Sequence, residues 1–253
     1  MSTPSIAIIT GGSRGLGKNT AMKLAEQGTD VILTYRSGHE EARAVVAAIE
    51  KLGRKAVALP LDVGKSASFG DFVAKVRDVL RTTWQRERFD FLINNAGAGL
   101  HASIADTTEA DFDELVNVHF KGVFFLTQKL LTLIADGGRI VNISSGLARF
   151  AMPGSSAYAA VKGAVEVLTR YQAKELGSRG IAVNTVAPGA IETDFRGGAV
   201  RDNPELKKTI ASMTALGRTG LPDDIGGVIA SLLLPANGWV NAQRVEASGG
   251  MFI

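Results

Sequence analysis

The chain has 253 residues, 45% of them hydrophobic, with 28 Lys plus Arg against 25 Asp plus Glu. That length and apolar content suit one α/β domain over 1–253, and the basic residues are spread without a tract for nucleic acid. No cysteine is present and the three histidines, His39, His101 and His119, are scattered, which argues against disulfides, thiolate metal sites and metal catalysis.

Short apolar runs alternate with longer stretches of helical period, the pattern of repeated βα units. Strands are predicted at 5–9, 30–35, 55–61, 89–94, 139–143, 181–186 and 244–247. Helices are predicted at 15–27, 40–52, 66–80, 109–134, 156–176 and 222–234. Seven strands with six crossovers give a doubly wound, seven-stranded parallel sheet with helices on both faces, and ligands then bind beyond the carboxyl ends of its strands. The apolar run Ile6 to Ile9 is too short for a signal peptide, and no apolar stretch approaches ~20 residues, so a cytoplasmic protein with no membrane span is expected. The stretch Arg81 to Arg88 lengthens the connection before the fourth strand and reads as a solvated extension of the preceding helix, a partner surface being the alternative.

The first strand runs into Thr10-Gly-Gly-Ser-Arg-Gly-Leu-Gly17. Gly11, Gly15 and Gly17, with Ser13, Arg14 and Leu16 between them, allow a tight turn and close approach of a pyrophosphate to the helix N-terminus. The second strand ends in Tyr35-Arg36, without the acid that would accept from a ribose 2′-hydroxyl; Arg36 and Arg14 can flank a 2′-phosphate instead, which favours NADP(H) over NAD(H). Farther on, Tyr158 and Lys162 stand one helical turn apart, with Ser145 thirteen residues before the tyrosine. An ammonium on the same helix face can supply part of the ~4 kcal/mol needed to bring a phenol of pKa ~10 to neutrality.

The order of these motifs, with Asn94-Asn95-Ala96-Gly97 and Asn117 between them, resembles the short-chain dehydrogenase/reductase family over nearly the whole chain, and within it the 3-oxoacyl-carrier-protein reductases and related ketoreductases. The resemblance implies a Rossmann fold and transfer of hydride between nicotinamide C4 and a ketone or secondary alcohol. Tyr158 would be the general acid/base, Ser145 (rather than its neighbour Ser144) would hold the carbonyl oxygen, Lys162 would lower the tyrosine pKa and bind the nicotinamide ribose, and Asn117 would hold a relay water. Asp62 and Val63 resemble the adenine-binding pair. Asn94, Ala96 and Gly97 resemble the segment that braces the sheet and lines the adenosine ribose pocket. Pro188, Gly189, Ile191 and Thr193 resemble the segment that holds the carboxamide. His119, two residues from Asn117, points to another face and is expected to be structural or interfacial.

A glycine-hinged segment, 187–222, with a short helical stretch near 205–213, is expected to be a lid; with Leu147, Phe150 and Met152 it would form a mainly apolar wall suited to aliphatic, aromatic or acyl ketones, acyl thioesters included. Arg179 matches a basic position that carrier-protein reductases use toward their partner, whereas Asp136 stands where those enzymes are basic. The C-terminal run Asn241 to Gly250 departs from the family pattern. A homo-oligomer, tetramer or dimer, is the family's habit. The alternatives are a 3-oxoacyl-carrier-protein reductase and a non-catalytic NADPH-sensing or scaffold protein.

Overall fold

The computed structural model describes residues 3–253. Seven parallel strands form one sheet in the order β3-β2-β1-β4-β5-β6-β7, with β1 Ile6–Ile9, β2 Asp30–Tyr35, β3 Ala56–Pro60, β4 Phe89–Asn94, β5 Ile134–Ile143, β6 Ala182–Pro188 and β7 Arg244–Ala247. The order reverses between β1 and β4, and the crevice beyond their carboxyl ends is the place where such sheets take ligands. Alternation along the strands feeds two cores. Ile6 and Ile8 pack toward α3 (Phe69–Trp84), α5 (Gly122–Leu130) and α6 (Ser156–Leu176). Ala7 and Ile9 pack toward α1 (Gly15–Glu26), α2 (His39–Lys51) and α9 (Pro222–Leu232).

One expected helix, 109–134, is instead three pieces. Thr108 caps α4 (Glu109–Val116) by accepting from the Asp111 N–H, and a π turn follows at Asn117–Lys121 before α5. In that turn the Asn117 carbonyl accepts from the Gly122 N–H, five residues on. A Cβ on Gly122 would lie 2.5 Å from the Val63 carbonyl oxygen, so the π turn sits where the β3–α3 loop presses on the helix. β5 starts at Ile134, earlier than expected, because residues 135–138 form an irregularity against β4 before regular pairing resumes at Arg139.

The stretch Arg81 to Arg88 extends α3 to Trp84, as expected, and is then pinned. Trp84 donates its indole N–H to Asp30 Oδ2 at 2.8 Å, and Arg86 forms a two-pronged pair with Asp90 at 2.9 and 3.0 Å. Asp90 in turn accepts from the Ile6 N–H, so the extension clamps the start of β1 and β4.

Beyond β6 lie α7 (Ala199–Asp202) and α8 (Pro204–Ser212), capped by Asn203. Lys207 and Thr219 both bind Glu192, tying this excursion back to the end of β6.

A buried polar ladder crosses the centre of the sheet. Asn94 donates to Asn142 at 2.8 Å and to Thr127 at 3.1 Å; Asn142 donates to Thr169 and Gln172 at 2.9 Å; Thr185 donates to Thr169. Since every member is partnered, removing one strands the others. Asn142→Ala should therefore cost about 2–4 kcal/mol in denaturant unfolding with no change in m-value; a loss below ~0.5 kcal/mol would contradict this account.

Candidate active site

The glycine turn is shaped by contacts that tolerate no side chain. Gly11 and Gly15 have φ of +66° and +54°, the left-handed region. A Cβ on Gly17 would lie 2.2 Å from the Gly11 carbonyl oxygen. The turn is held from β4, where Asn95 donates to the carbonyls of Thr10 (2.9 Å) and Gly11 (3.2 Å), and Thr10 Oγ1 accepts from the Asn95 and Ala96 N–H groups. Asn95 was not among the expected site residues, yet it is what fixes the turn. Asn94, by contrast, spends its side chain on the ladder, so it is a brace.

Around this cradle Arg14 and Arg36 are exposed, and neither forms an ion pair among the described residues. Ser13 and Tyr35 are partly buried beside them. Asp62 accepts from the Gly64 N–H at 3.0 Å, leaving its second oxygen near Lys65 at 3.9 Å, and Val63 is buried. Across the cleft Thr193 packs close to Gly15, and a Cβ on Gly189 would meet Ser248, which fixes the turn after Pro188. Ile191 bridges to Gly220 as a short strand contact.

Beyond the carboxyl end of β5 the tyrosine and lysine come together as the helix spacing requires. Tyr158 is 7% exposed and Lys162 4%. Lys162 Nζ lies 5.6 Å from the Tyr158 ring centroid and donates to the Ile143 carbonyl at 2.7 Å. Burial pushes the Tyr158 phenol up to about 12, with the Arg196 guanidinium and then the Ser145 hydroxyl pulling the other way. Burial draws the Lys162 ammonium down to about 7.

Ser145 both faces the phenol and caps the turn Gly146–Ala148, accepting from the Leu147 N–H at 3.2 Å. Ser144 is excluded from the site, as expected: its hydroxyl donates to Glu166 at 2.7 Å. Glu166 also binds Arg244, which pairs with Glu246, and Glu246 holds Arg149. The unusual C-terminal run thus anchors the loop that carries Ser145. In that loop the Phe150 ring packs 4.9 Å from Phe252, and Leu147 packs on the cluster containing Tyr158.

The residue of the π turn that meets Tyr158 is His119. Its ring stands edge-on to the phenol, centroids 5.3 Å apart at 89°, and it is 1% exposed. Nε2 lies 2.6 Å from the Ala98 carbonyl oxygen and 3.2 Å from the Ala98 nitrogen, while Nδ1 is buried without a partner. Burial, then the charge of Lys162, holds the imidazole well below the usual histidine range, so it stays neutral. The Asn117 side chain forms no hydrogen bond among the described residues. The imidazole of His119 is thus turned to the tyrosine. Gly97 is glycine for this reason, since a Cβ would lie 2.7 Å from the His119 ring.

Arg179 does not present a free cation. It donates to Asp136 at 2.7 Å and to the carbonyls of Leu131 and Ile134, pinning the irregular start of β5. Among the described residues no cluster of metal-ligating side chains occurs, and no helix is long and apolar enough to cross a membrane.

A glycine cradle thus lies at the switch point, with half-buried Ser145 and buried Tyr158 and Lys162 beside it. Residues 11–252 match the family model described as enoyl-(acyl carrier protein) reductase. A hydroxynaphthalene reductase-like protein of Metarhizium brunneum is 34% identical over 260 residues, covering 97% of this chain and 94% of that one. The promiscuous reductase LugOII, described as catalysing keto-reduction at C1 in lugdunomycin biosynthesis, superposes with a TM-score of 0.94 at 36% identity, over 99% of both chains. The angucycline C-6 ketoreductase LanV with bound NADP gives a TM-score of 0.93 at 33% identity, over 98% of this chain and 95% of that one. The chain belongs to the short-chain dehydrogenase/reductase family and is an oxidoreductase.

The low pKa of Lys162 has a stability consequence. Its folded value lies below its ordinary 10.5, so the burial cost is carried in full below pH 7 and relieved as the folded form sheds its proton toward 10.5. Without cofactor, Lys162→Met should raise the melting temperature at about pH 6, and the gain should shrink by about pH 9; an unchanging gain would contradict the assignment.

Proposed function

We propose that the protein is an NADPH-dependent carbonyl reductase, also able to oxidise the corresponding secondary alcohol. The observation that carries this is the cluster of half-buried Ser145 with buried Tyr158 and Lys162 next to the glycine cradle, at the carboxyl edge of the sheet. NADP(H) fits the residues present: Gly11, Gly15 and Gly17 leave room for a pyrophosphate, and Arg14 and Arg36 are free to take a 2′-phosphate. The NADP held by LanV supports the same choice. When bound, the cofactor supplies hydride from nicotinamide C4.

The chain's own groups do the rest. Ser145 Oγ donates to the carbonyl oxygen and holds it beside the Tyr158 hydroxyl. Tyr158, protonated at neutral pH, donates its proton to that oxygen as hydride reaches the carbon, so the alkoxide is never released. Lys162 leaves the Ile143 carbonyl for the ribose hydroxyls, and its charge then favours the phenolate that remains. The neutral His119 keeps the phenol ring in place. Asn117 contributes the backbone carbonyl that closes the π turn, and the relay water would be held there.

Leu147, Phe150 and Met152 make the wall apolar, and the relatives named for hydroxynaphthalene and angucycline substrates point the same way, to aryl and polycyclic ketones. Carrier-protein use is disfavoured by the internal engagement of Arg179. Phe124, Phe125 and Tyr171 are exposed on α5 and α6, which supports association of copies through that face.

In an NADPH-oxidation assay over aryl ketones, diketones and acetoacetyl thioesters, Tyr158→Phe should lose at least ~1,000-fold in turnover while binding NADPH as wild type does. Arg14→Ser with Arg36→Ser should raise KM for NADPH by about 10–100-fold and leave KM for NADH nearly unchanged. A double variant that weakens both cofactors equally would reject the 2′-phosphate assignment.

A further inference from the structure

Arg196 lies in the excursion after β6 and faces the Tyr158 ring. Its backbone sits at φ 53°, ψ 42°, the left-handed region that non-glycine residues seldom adopt, and Gly197 and Gly198 continue it at 68° and 80°. That run of backbone folds the side chain inward. A Cβ on Gly99 would lie 2.4 Å from Arg196 Cγ, so the stem lies along the β4 loop. The guanidinium carbon stands 5.4 Å from the Tyr158 ring centroid, over its face.

Its polar neighbours are few. NH2 reaches Ser155 Oγ only at 3.4 Å, and Nε is buried with no partner. Acids close by in sequence are already taken: Arg201 binds both Asp194 and Asp202, and Lys207 binds Glu192. Among the described residues Arg196 has no carboxylate partner. A cation half removed from water is costly unless an anion or an aromatic face meets it, and the tyrosine ring answers only in part.

Resting on the ketoreductase reading, we propose that Arg196 is a specificity-determining residue that takes an anionic oxygen carried by the substrate near its ketone, either a carboxylate or an ionised phenol or enol. Its N–H groups bind that oxygen while Ser145 and Tyr158 hold the carbonyl, so the substrate is gripped at two points and its reacting carbon is oriented. The strained backbone and the glycines at 99, 197 and 198 serve to bring the guanidinium there.

The test compares matched pairs with the wild type, Arg196→Met and Arg196→Lys: acetoacetate against methyl acetoacetate, and 6-hydroxy-1-tetralone against 6-methoxy-1-tetralone above the phenol's pKa. The readout is the ratio of kcat/KM for the anionic over the neutral member, with calorimetric binding of acetoacetate to the NADP-loaded protein as a second measure. Arg196→Met should lower the ratio at least ~10-fold in one of the pairs, weaken acetoacetate binding in step if that pair is the first, and recover partly in Arg196→Lys; which pair responds tells carboxylate from phenolate. An unchanged ratio in both pairs overturns the proposal. So does a shifted pH profile on neutral ketones with the ratio unchanged, which would make Arg196 an activator of Tyr158, or a rise in KM for NADPH shared by both members. If wild type turned over no neutral ketone and no anionic one, the ketoreductase reading itself would fall, whereas neutral-ketone turnover with no preference for the anion rejects only this inference.

Discussion

The site depends on burying an amine beside a phenol. Lys162 is placed by α6 against the end of β5, where one carbonyl, that of Ile143, answers it. The same enclosure that lowers the lysine raises Tyr158, so the resting cluster holds a protonated phenol and an amine poised near neutrality. That is a costly arrangement for a folded protein without ligand and a useful one for moving a proton. The polar ladder from Asn94 to Thr185 keeps β4, β5 and β6 in register, and the Arg244 to Arg149 chain of ion pairs keeps the Ser145 loop against β7. Both hold fixed the geometry that the lysine and tyrosine need.

Much of this was legible from residue order. The alternation of β1 to β7 and the intervening helices follows from apolar period, and the glycines at 11, 15 and 17 could be read because a turn that meets a phosphate has few other solutions. Tyr158 and Lys162 are local on one helix, so their juxtaposition needed no knowledge of tertiary structure. Ser144, the neighbour of Ser145, donates its hydroxyl to Glu166.

What was hidden depends on contacts distant in sequence. The π turn at 117–121 arises where the Val63 carbonyl meets Gly122, and nothing in the helical period of 109–134 shows it; the turn brings His119 to the tyrosine. Arg179 read as a basic position open to a partner because its own partners, Asp136 and the carbonyls of Leu131 and Ile134, lie more than forty positions earlier. Asn95 was read only as part of the Asn94 to Gly97 segment, because its acceptors belong to the glycine turn some eighty positions earlier. Arg196 gave no signal beyond the two glycines that follow it, and its inward course follows from the left-handed backbone at 196–198 and the room left by Gly99.

The most direct test of the account is the titration of Tyr158 itself, observed by NMR in protein carrying ring-labelled tyrosine, with and without NADP. The account predicts a phenol that titrates near 12 in the free protein and moves down by at least one unit when the cofactor draws Lys162 away from the Ile143 carbonyl. A phenol that titrates at its ordinary value in the free protein, or that does not move on cofactor binding, would contradict it.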